Sequence, residues 1–148
     1  MTTSDFRLTL KTEQTPQEVF NTIINVRKWW TGYYNEEFLG STERLNDEFS
    51  FRAGGGAHYS KQKLVEVIPN KKVVWLITDS ELSFLKKRDE WTGTKVIFEI
   101  TEVDNKTHLS FTHEGLTPEI ECYDSCASAW TLYLENKLQP LINADRTR

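Results

Sequence analysis

Residues 122–139, CYDSCASAWTLYLENKLQ, form the stretch that decides the fold. Their apolar side chains share one broad stripe of an α-helix: Cys122, Cys126, Ala129, Trp130, Tyr133, Leu134 and Leu138. Thr117 and Pro118 predict that the helix begins just ahead of this stretch, and Pro140 predicts that it stops or kinks there. Because a lone helix must bury such a stripe, the preceding chain has to supply a surface for it.

The chain ahead of this helix reads mainly as β-strands. Residues 5–11 alternate between apolar and polar side chains, which predicts a half-buried strand. Residues 15–18, TPQE, form a capping box that predicts a short helix, and a second helical turn follows around residues 26–30. Alternating runs and turns across residues 34–113 then predict about six antiparallel strands, with a flexible turn at the three glycines 54–56.

A long connection between two of these strands carries both charge and apolar residues. It spans residues 79–93, and its apolar side chains suggest a flap that folds onto the body of the protein. These side chains are Leu82, Phe84, Leu85 and Trp91.

This order of elements predicts an α+β fold of the helix-grip type, in one domain that spans residues 1–148. A curved antiparallel sheet of about six to seven strands wraps around the long C-terminal helix, with two short helices after the first strand. The terminal helix is the element long enough to cover the concave face of the sheet.

Charge and composition exclude several classes of partner. The net charge of −4 argues against nucleic acid, which usually requires a basic face. No apolar run is long enough to cross a membrane, and the N-terminus lacks a signal-peptide pattern. Cys122 and Cys126 lie four residues apart on one helix, where a disulfide is not expected, so we expect a cytoplasmic protein with free thiols.

Aromatic residues are the best candidates for contacts with a ligand. The sequence contains five Trp, five Tyr and eight Phe, enough large rings to line a cavity as well as to fill a core. The predicted cavity residues are Trp30, Phe51, Tyr59, Trp75, Phe98, Phe111, His113, Cys126, Trp130 and Tyr133. The alternative for each ring is that it simply packs the core.

Histidines and cysteines offer little further chemistry. His113 lies on the same face of its strand as Leu109 and Phe111. It therefore either faces the cavity as an acid–base group or satisfies hydrogen-bonding groups of the turn at residues 114–115. His58 and His108 are predicted to face solvent. No metal site and no cofactor are expected, because the cysteine spacing and the number of ligands do not suit zinc and no nucleotide-binding glycine motif is present.

Several runs of sequence resemble the START-like (SRPBCC) superfamily. They are LVEVIPNKKVVW at residues 64–75, TKVIFEI at 94–100, LSFTHEGL at 109–116, the pair at 29–30, and the aromatic stripe of the last helix. The match is closest to the C-terminal domain of activators of the ninety-kilodalton heat-shock chaperone's ATPase, and it covers roughly residues 6–141. Ala129 stands where that family often has glycine.

The resemblance implies an apolar cavity between the sheet and the long helix. Relatives bind lipids, hormones or polyketides, and some are enzymes, so the fold does not fix the function. Three hypotheses follow: a domain that binds a hydrophobic or amphipathic small molecule, a protein that contacts a chaperone in the stress response, and an enzyme that uses His113 as its acid–base. The first is favoured, with a monomer or homodimer as the expected assembly.

Overall fold

The computed structural model describes residues 5–83 and 85–144. These residues form seven antiparallel strands: β1 Phe6–Thr12, β2 Glu37–Gly40, β3 Glu48–Ala53, β4 His58–Ile68, β5 Lys72–Leu82, β6 Lys95–Val103 and β7 Lys106–Glu114. Their order in the single sheet is β1-β7-β6-β5-β4-β3-β2. Strands β2 to β7 therefore pair with their sequence neighbours, and β1 closes the far edge against β7.

Two short helices connect β1 to β2, as the sequence predicts. Helix α1, Pro16–Ile23, begins with the predicted capping box, in which the Thr15 hydroxyl accepts from the Glu18 N–H and the Glu18 carboxylate accepts from the Thr15 N–H. Helix α2, Val26–Trp29, follows at once. It places Trp29 in the core directly before Trp30.

The C-terminal helix begins later than the sequence predicts, and of the two alternatives at Pro140 it does not stop there. Helix α3 is Tyr123–Tyr133, so the residues after Thr117 form turns rather than the first helical turn. A π-helical turn, Leu134–Leu138, follows, and helix α4, Gln139–Ala144, then continues through Pro140. The proline does not end the helix, because the wider π turn immediately before it gives its ring room that a regular α-helix lacks.

The long helix covers the concave face of the curved sheet, which makes this an α+β helix-grip fold as predicted. The apolar stripe faces inward: all of its members except Ala129, which is half-buried, are buried. No helix among the described residues is long and apolar enough to cross a membrane.

The long connection is shorter than predicted because β5 continues to Leu82 alongside β4. Ser80 pairs with Ser60 and Leu82 with His58, which leaves residues 83–94 as the connecting segment. Leu85 and Trp91 of this segment are buried, so it folds onto the concave side of the sheet. Phe84, the fourth apolar residue of the predicted flap, lies outside the described residues.

Candidate ligand-binding cavity between the sheet and helix α3

A cavity of about 260 Å³ lies between α3 and one half of the sheet. The helix contributes one face to it, and the opposite wall comes from β3, the start of β4, the loop after α2 and the connecting segment. The described lining residues are Trp30, Tyr34, Phe51, Ala53, Gly54, Ala57, His58, Trp91, Ser125, Cys126, Ala129, Trp130 and Tyr133. None of them is charged, so the walls are apolar with a few neutral polar groups.

Stacked aromatic rings form much of the wall. Trp30 lies flat against Phe51, with ring centroids 3.8 Å apart and an angle of 6° between the rings. Trp130 lies 5.0 Å from Trp30 and 5.8 Å from Trp91, again close to parallel. Because all four rings are buried, the cavity has flat, rigid sides.

The structure brings five of the ten sequence-predicted cavity residues to the wall: Trp30, Phe51, Cys126, Trp130 and Tyr133. It places the other five, Tyr59, Trp75, Phe98, Phe111 and His113, elsewhere. Tyr59 has the opposite parity to the wall residue His58, and Arg52 lies over its ring at 5.1 Å. Trp75, Phe98 and Phe111 have the inward parity but pack in the filled part of the core.

His113 is fully buried and uses both of its ring nitrogens inside the protein. The Trp130 indole N–H donates to Nδ1 at 3.0 Å, so the neutral ring carries its proton on Nε2, which lies 2.9 Å from the Thr94 hydroxyl. That hydroxyl donates in turn to the Trp91 carbonyl oxygen at 2.6 Å. Burial, with a smaller contribution from the neighbouring His58, lowers the pKa of His113 to about 3. His113 therefore has no nitrogen available for acid–base work at the cavity.

His58 lies on the cavity wall, and the expectation that it faces solvent is wrong. It pairs with Ala53 across the β3–β4 turn and shares its parity with the buried residues Ser60, Gln62 and Leu64. This alternation is the sequence signal that His58 faces inward. It is hard to recognise because Ser60 and Gln62, which share the face, are polar. Burial lowers the pKa of His58 to about 4, so the ring is neutral at pH 7.

The three glycines bring His58 to this position. Gly54, Gly55 and Gly56 all have positive φ, in a 3₁₀ turn between β3 and β4. Residues with a β-carbon rarely adopt this backbone conformation. The Gly54 N–H also donates to the Tyr34 carbonyl oxygen at 2.8 Å, which joins two lining segments.

Two buried polar atoms on the wall have no hydrogen-bond partner within the described structure: His58 Nε2 and Trp91 Nε1. The two side chains touch, with ring centroids 4.6 Å apart and rings nearly perpendicular. The Trp91 N–H lies near the thiols of Cys122 and Cys126, where it contributes to the lowered pKa of Cys122, but without the geometry of a hydrogen bond.

Cys122 and Cys126 are free and buried, and only Cys126 reaches the wall. The interaction between the two thiols lowers the pKa of Cys122 and raises that of Cys126, and burial also raises the pKa of Cys126. Among the described residues, no three His, Cys, Asp or Glu side chains come together in a way that could hold a metal ion.

Glu36 holds the wall residue Tyr133 in place, and sequence reasoning missed Glu36. The Tyr133 hydroxyl donates to Glu36 at 2.6 Å, and the same carboxylate accepts from the backbone N–H groups of Gly32, Tyr33 and Tyr34. Burial alone would raise the pKa of Glu36, but these hydrogen bonds together lower it. Burial and the nearby carboxylate raise the pKa of Tyr133, so its hydroxyl stays protonated.

A family model described as "Activator of Hsp90 ATPase homolog 1-like protein" matches residues 13–143. The chain belongs to this AHSA1 family. The match includes each of the described residues that line the cavity, so these residues belong to the AHSA1-like part of the chain. None of the curated protein sequences compared with the chain matches it.

Solved structures share the fold at low sequence identity. An Aha1 dimer from Colwellia psychrerythraea has a TM-score of 0.71 and 21% identity, over 97% of this chain and 99% of that one. Protein CV1439 from Chromobacterium violaceum has a TM-score of 0.71 and 18% identity, over 94% and 96%. DynU16, a putative protein in the dynemicin biosynthetic locus, has a TM-score of 0.59 and 12% identity, over 92% of this chain and 46% of that one.

Proposed function

We propose that this AHSA1-like chain is a non-catalytic domain that binds a small, uncharged and mainly apolar molecule in the cavity under α3. The supporting observation is the cavity itself, a space of about 260 Å³ with stacked rings on its sides and no charge among its described lining residues. A charged ligand group would be buried there without a counter-charge, which costs far more than burying a neutral one.

The cavity volume limits the size of the ligand. An engineered cavity of roughly 150 Å³ holds benzene, so by proportion a cavity of 260 Å³ takes about ten to eleven non-hydrogen atoms. A two-ring aromatic molecule has this size, and its flat shape suits a wall made largely of aromatic rings. Long lipids are too large for the space that is present.

Filling the cavity tests the proposal directly. Ala129 lines the cavity and is only half-buried, so Ala129→Leu should place extra carbons in the empty space with little effect on stability. We expect isothermal titration calorimetry with 2-methylnaphthalene to show binding to the wild type and at least about tenfold weaker binding to the variant. Ser128→Leu, on the exposed face of the same helix, is the matched control and should bind as the wild type does. Absence of binding to the wild type, or equal binding to all three proteins, would contradict the proposal.

Contact with a chaperone is the second candidate, favoured by the family match and independent of the cavity. If this candidate is correct, the chain changes the ATPase rate of an Hsp90-type chaperone. The Ala129→Leu variant should then change that rate as much as the wild type does. An unchanged ATPase rate over a range of chain concentrations would remove this candidate.

A further inference from the structure

His58 and Trp91 stand out because each buries a polar atom without a partner. Among the described residues these two atoms, His58 Nε2 and Trp91 Nε1, are the buried side-chain nitrogens or oxygens that lack a hydrogen bond. Such atoms are rare because burying them unpaired costs folding free energy, and each one in a folded protein calls for an explanation. Here both belong to touching side chains on the wall of one cavity.

Aromatic rings surround both side chains. The His58 ring stands almost perpendicular to Phe51 on one side, at 5.3 Å, and to Trp91 on the other, at 4.6 Å. Trp91 also makes a near-parallel contact with Trp130. Both nitrogens are covered and lack a hydrogen bond, so a molecule in the cavity can pair with them only if the Trp91 ring moves.

The two nitrogens specify the kind of group that can satisfy them. An indole N–H can only donate, whereas a neutral imidazole nitrogen donates or accepts according to its tautomer. A hydroxyl both accepts and donates, so it matches this pair in either tautomer. A carboxylate is disfavoured because no described lining residue is positively charged and the Glu36 carboxylate lies directly behind Tyr133.

We infer that His58 and Trp91 form the polar end of the binding site, and that its ligand is a compact uncharged alcohol or phenol whose single hydroxyl pairs with these two nitrogens. This inference rests on the proposed function, because it takes the cavity to be the binding site. It adds the polar group that the ligand carries and the residues that recognise it.

The test compares two probes that differ in one group. 2-Naphthol and 2-methylnaphthalene have the same two-ring body, with a hydroxyl in one and a methyl of similar size in the other. Titration calorimetry measures both dissociation constants for the wild type, His58→Phe and Trp91→Phe. His108→Phe, which changes a half-exposed histidine that is not on the cavity wall, is the control.

We expect the preference for naphthol over methylnaphthalene to fall by about tenfold in His58→Phe, since that is the effect of one lost hydrogen bond. Trp91→Phe should lose part of the preference, because it keeps a ring but removes the N–H. His108→Phe should keep the wild-type preference. Because His58 and Trp91 both line the cavity, their substitution can weaken the binding of both probes, so the readout is the ratio of the two dissociation constants within each protein. Measurable methylnaphthalene binding in a variant shows that its cavity is still present.

Each other outcome is decisive. If both probes bind the wild type and the preference is the same in His58→Phe, the inference is wrong while the cavity proposal stands. If neither probe binds the wild type, the cavity proposal fails and the inference fails with it. Should His58→Phe not fold, His58→Gln replaces it, and a naphthol preference in His58→Gln above that of the wild type would overturn the role of the imidazole.

Discussion

His58 and His113 lie within one layer of side chains under α3, but they differ in their hydrogen bonding. His113 receives a hydrogen bond from Trp130 and pairs with Thr94, so it joins α3, β7 and the connecting segment through one ring. His58 has no such partner for its buried Nε2. The fully paired histidine is therefore structural, and the unpaired one is the candidate for ligand recognition.

Both histidines should make the protein less stable in mild acid. Burial lowers the pKa of His58 to about 4 and that of His113 to about 3, whereas both have ordinary values near 6.5 in the unfolded chain. Below pH 6.5 the unfolded chain therefore binds protons that the folded chain does not, and stability falls as pH falls. Each histidine should cost about 2 kcal/mol between pH 7.5 and pH 5.0.

Urea unfolding at these two pH values measures this loss. In His58→Phe the drop in unfolding free energy should be smaller than in the wild type by about 2 kcal/mol, because one of the two titrating groups is gone. An equal drop in both proteins would mean that His58 is protonated as easily in the folded chain as in the unfolded one.

At the level of elements, the start of helix α3 depends on a residue far away in sequence. The Glu90 carboxylate accepts from the backbone N–H groups of Glu121 and Cys122, at 2.9 and 3.2 Å. In return, the Glu121 carboxylate accepts from the N–H groups of Lys86 and Lys87. Two carboxylates thus fasten the connecting segment to the helix and hold Trp91 against the cavity.

Glu90→Ala should loosen this connection. Loss of a side-chain cap at a helix N-terminus typically costs about 0.5–2 kcal/mol, and the negative charge also favours that end of the helix. We expect a loss of this size in urea unfolding, together with faster amide hydrogen exchange at Glu121 and Cys122. Asp89→Ala, at an exposed position next to it, is the control, and an equal loss in both variants would show that the cap is unimportant.

This cap also shows what the sequence could and could not predict. Structure that depends on residues close together in sequence is predicted correctly: the capping box at Thr15 and the apolar stripe of the last helix both appear as predicted. The start of α3 was predicted too early, because Glu90 lies 31 residues from the N–H group of Glu121 and no local pattern reveals it. The extension of β5 was missed for the same reason, since β4 supplies its pairing. Four of the predicted cavity residues, Trp75, Phe98, Phe111 and His113, lie in the filled part of the core, because strand parity identifies the inner face but not which part of that face stays empty. Tyr59 lies on the other face of β4.

On the scale of the whole molecule, the concave face is divided into a filled part and an empty part. In the filled part, Phe98 packs against Trp29, Trp75 and Phe111, at ring distances of 5.9, 5.1 and 5.3 Å. Trp30 lies at the boundary, stacked on Phe51 of the cavity wall and 5.6 Å from Trp75. Stability and ligand binding should therefore depend on different residues of the same layer.

Two substitutions separate these properties. Phe98→Leu removes part of a fully buried ring in the filled region, so it should lower the unfolding free energy by roughly 1–2 kcal/mol and leave 2-methylnaphthalene binding unchanged. Ala129→Leu should leave the unfolding free energy nearly unchanged and weaken 2-methylnaphthalene binding, because the new side chain occupies the cavity from a half-buried position. Urea unfolding and calorimetry on the same preparations provide both readouts. If Phe98→Leu weakened binding as much as Ala129→Leu did, the ligand would have to occupy space that the structure fills with side chains, and the division of the layer would be wrong.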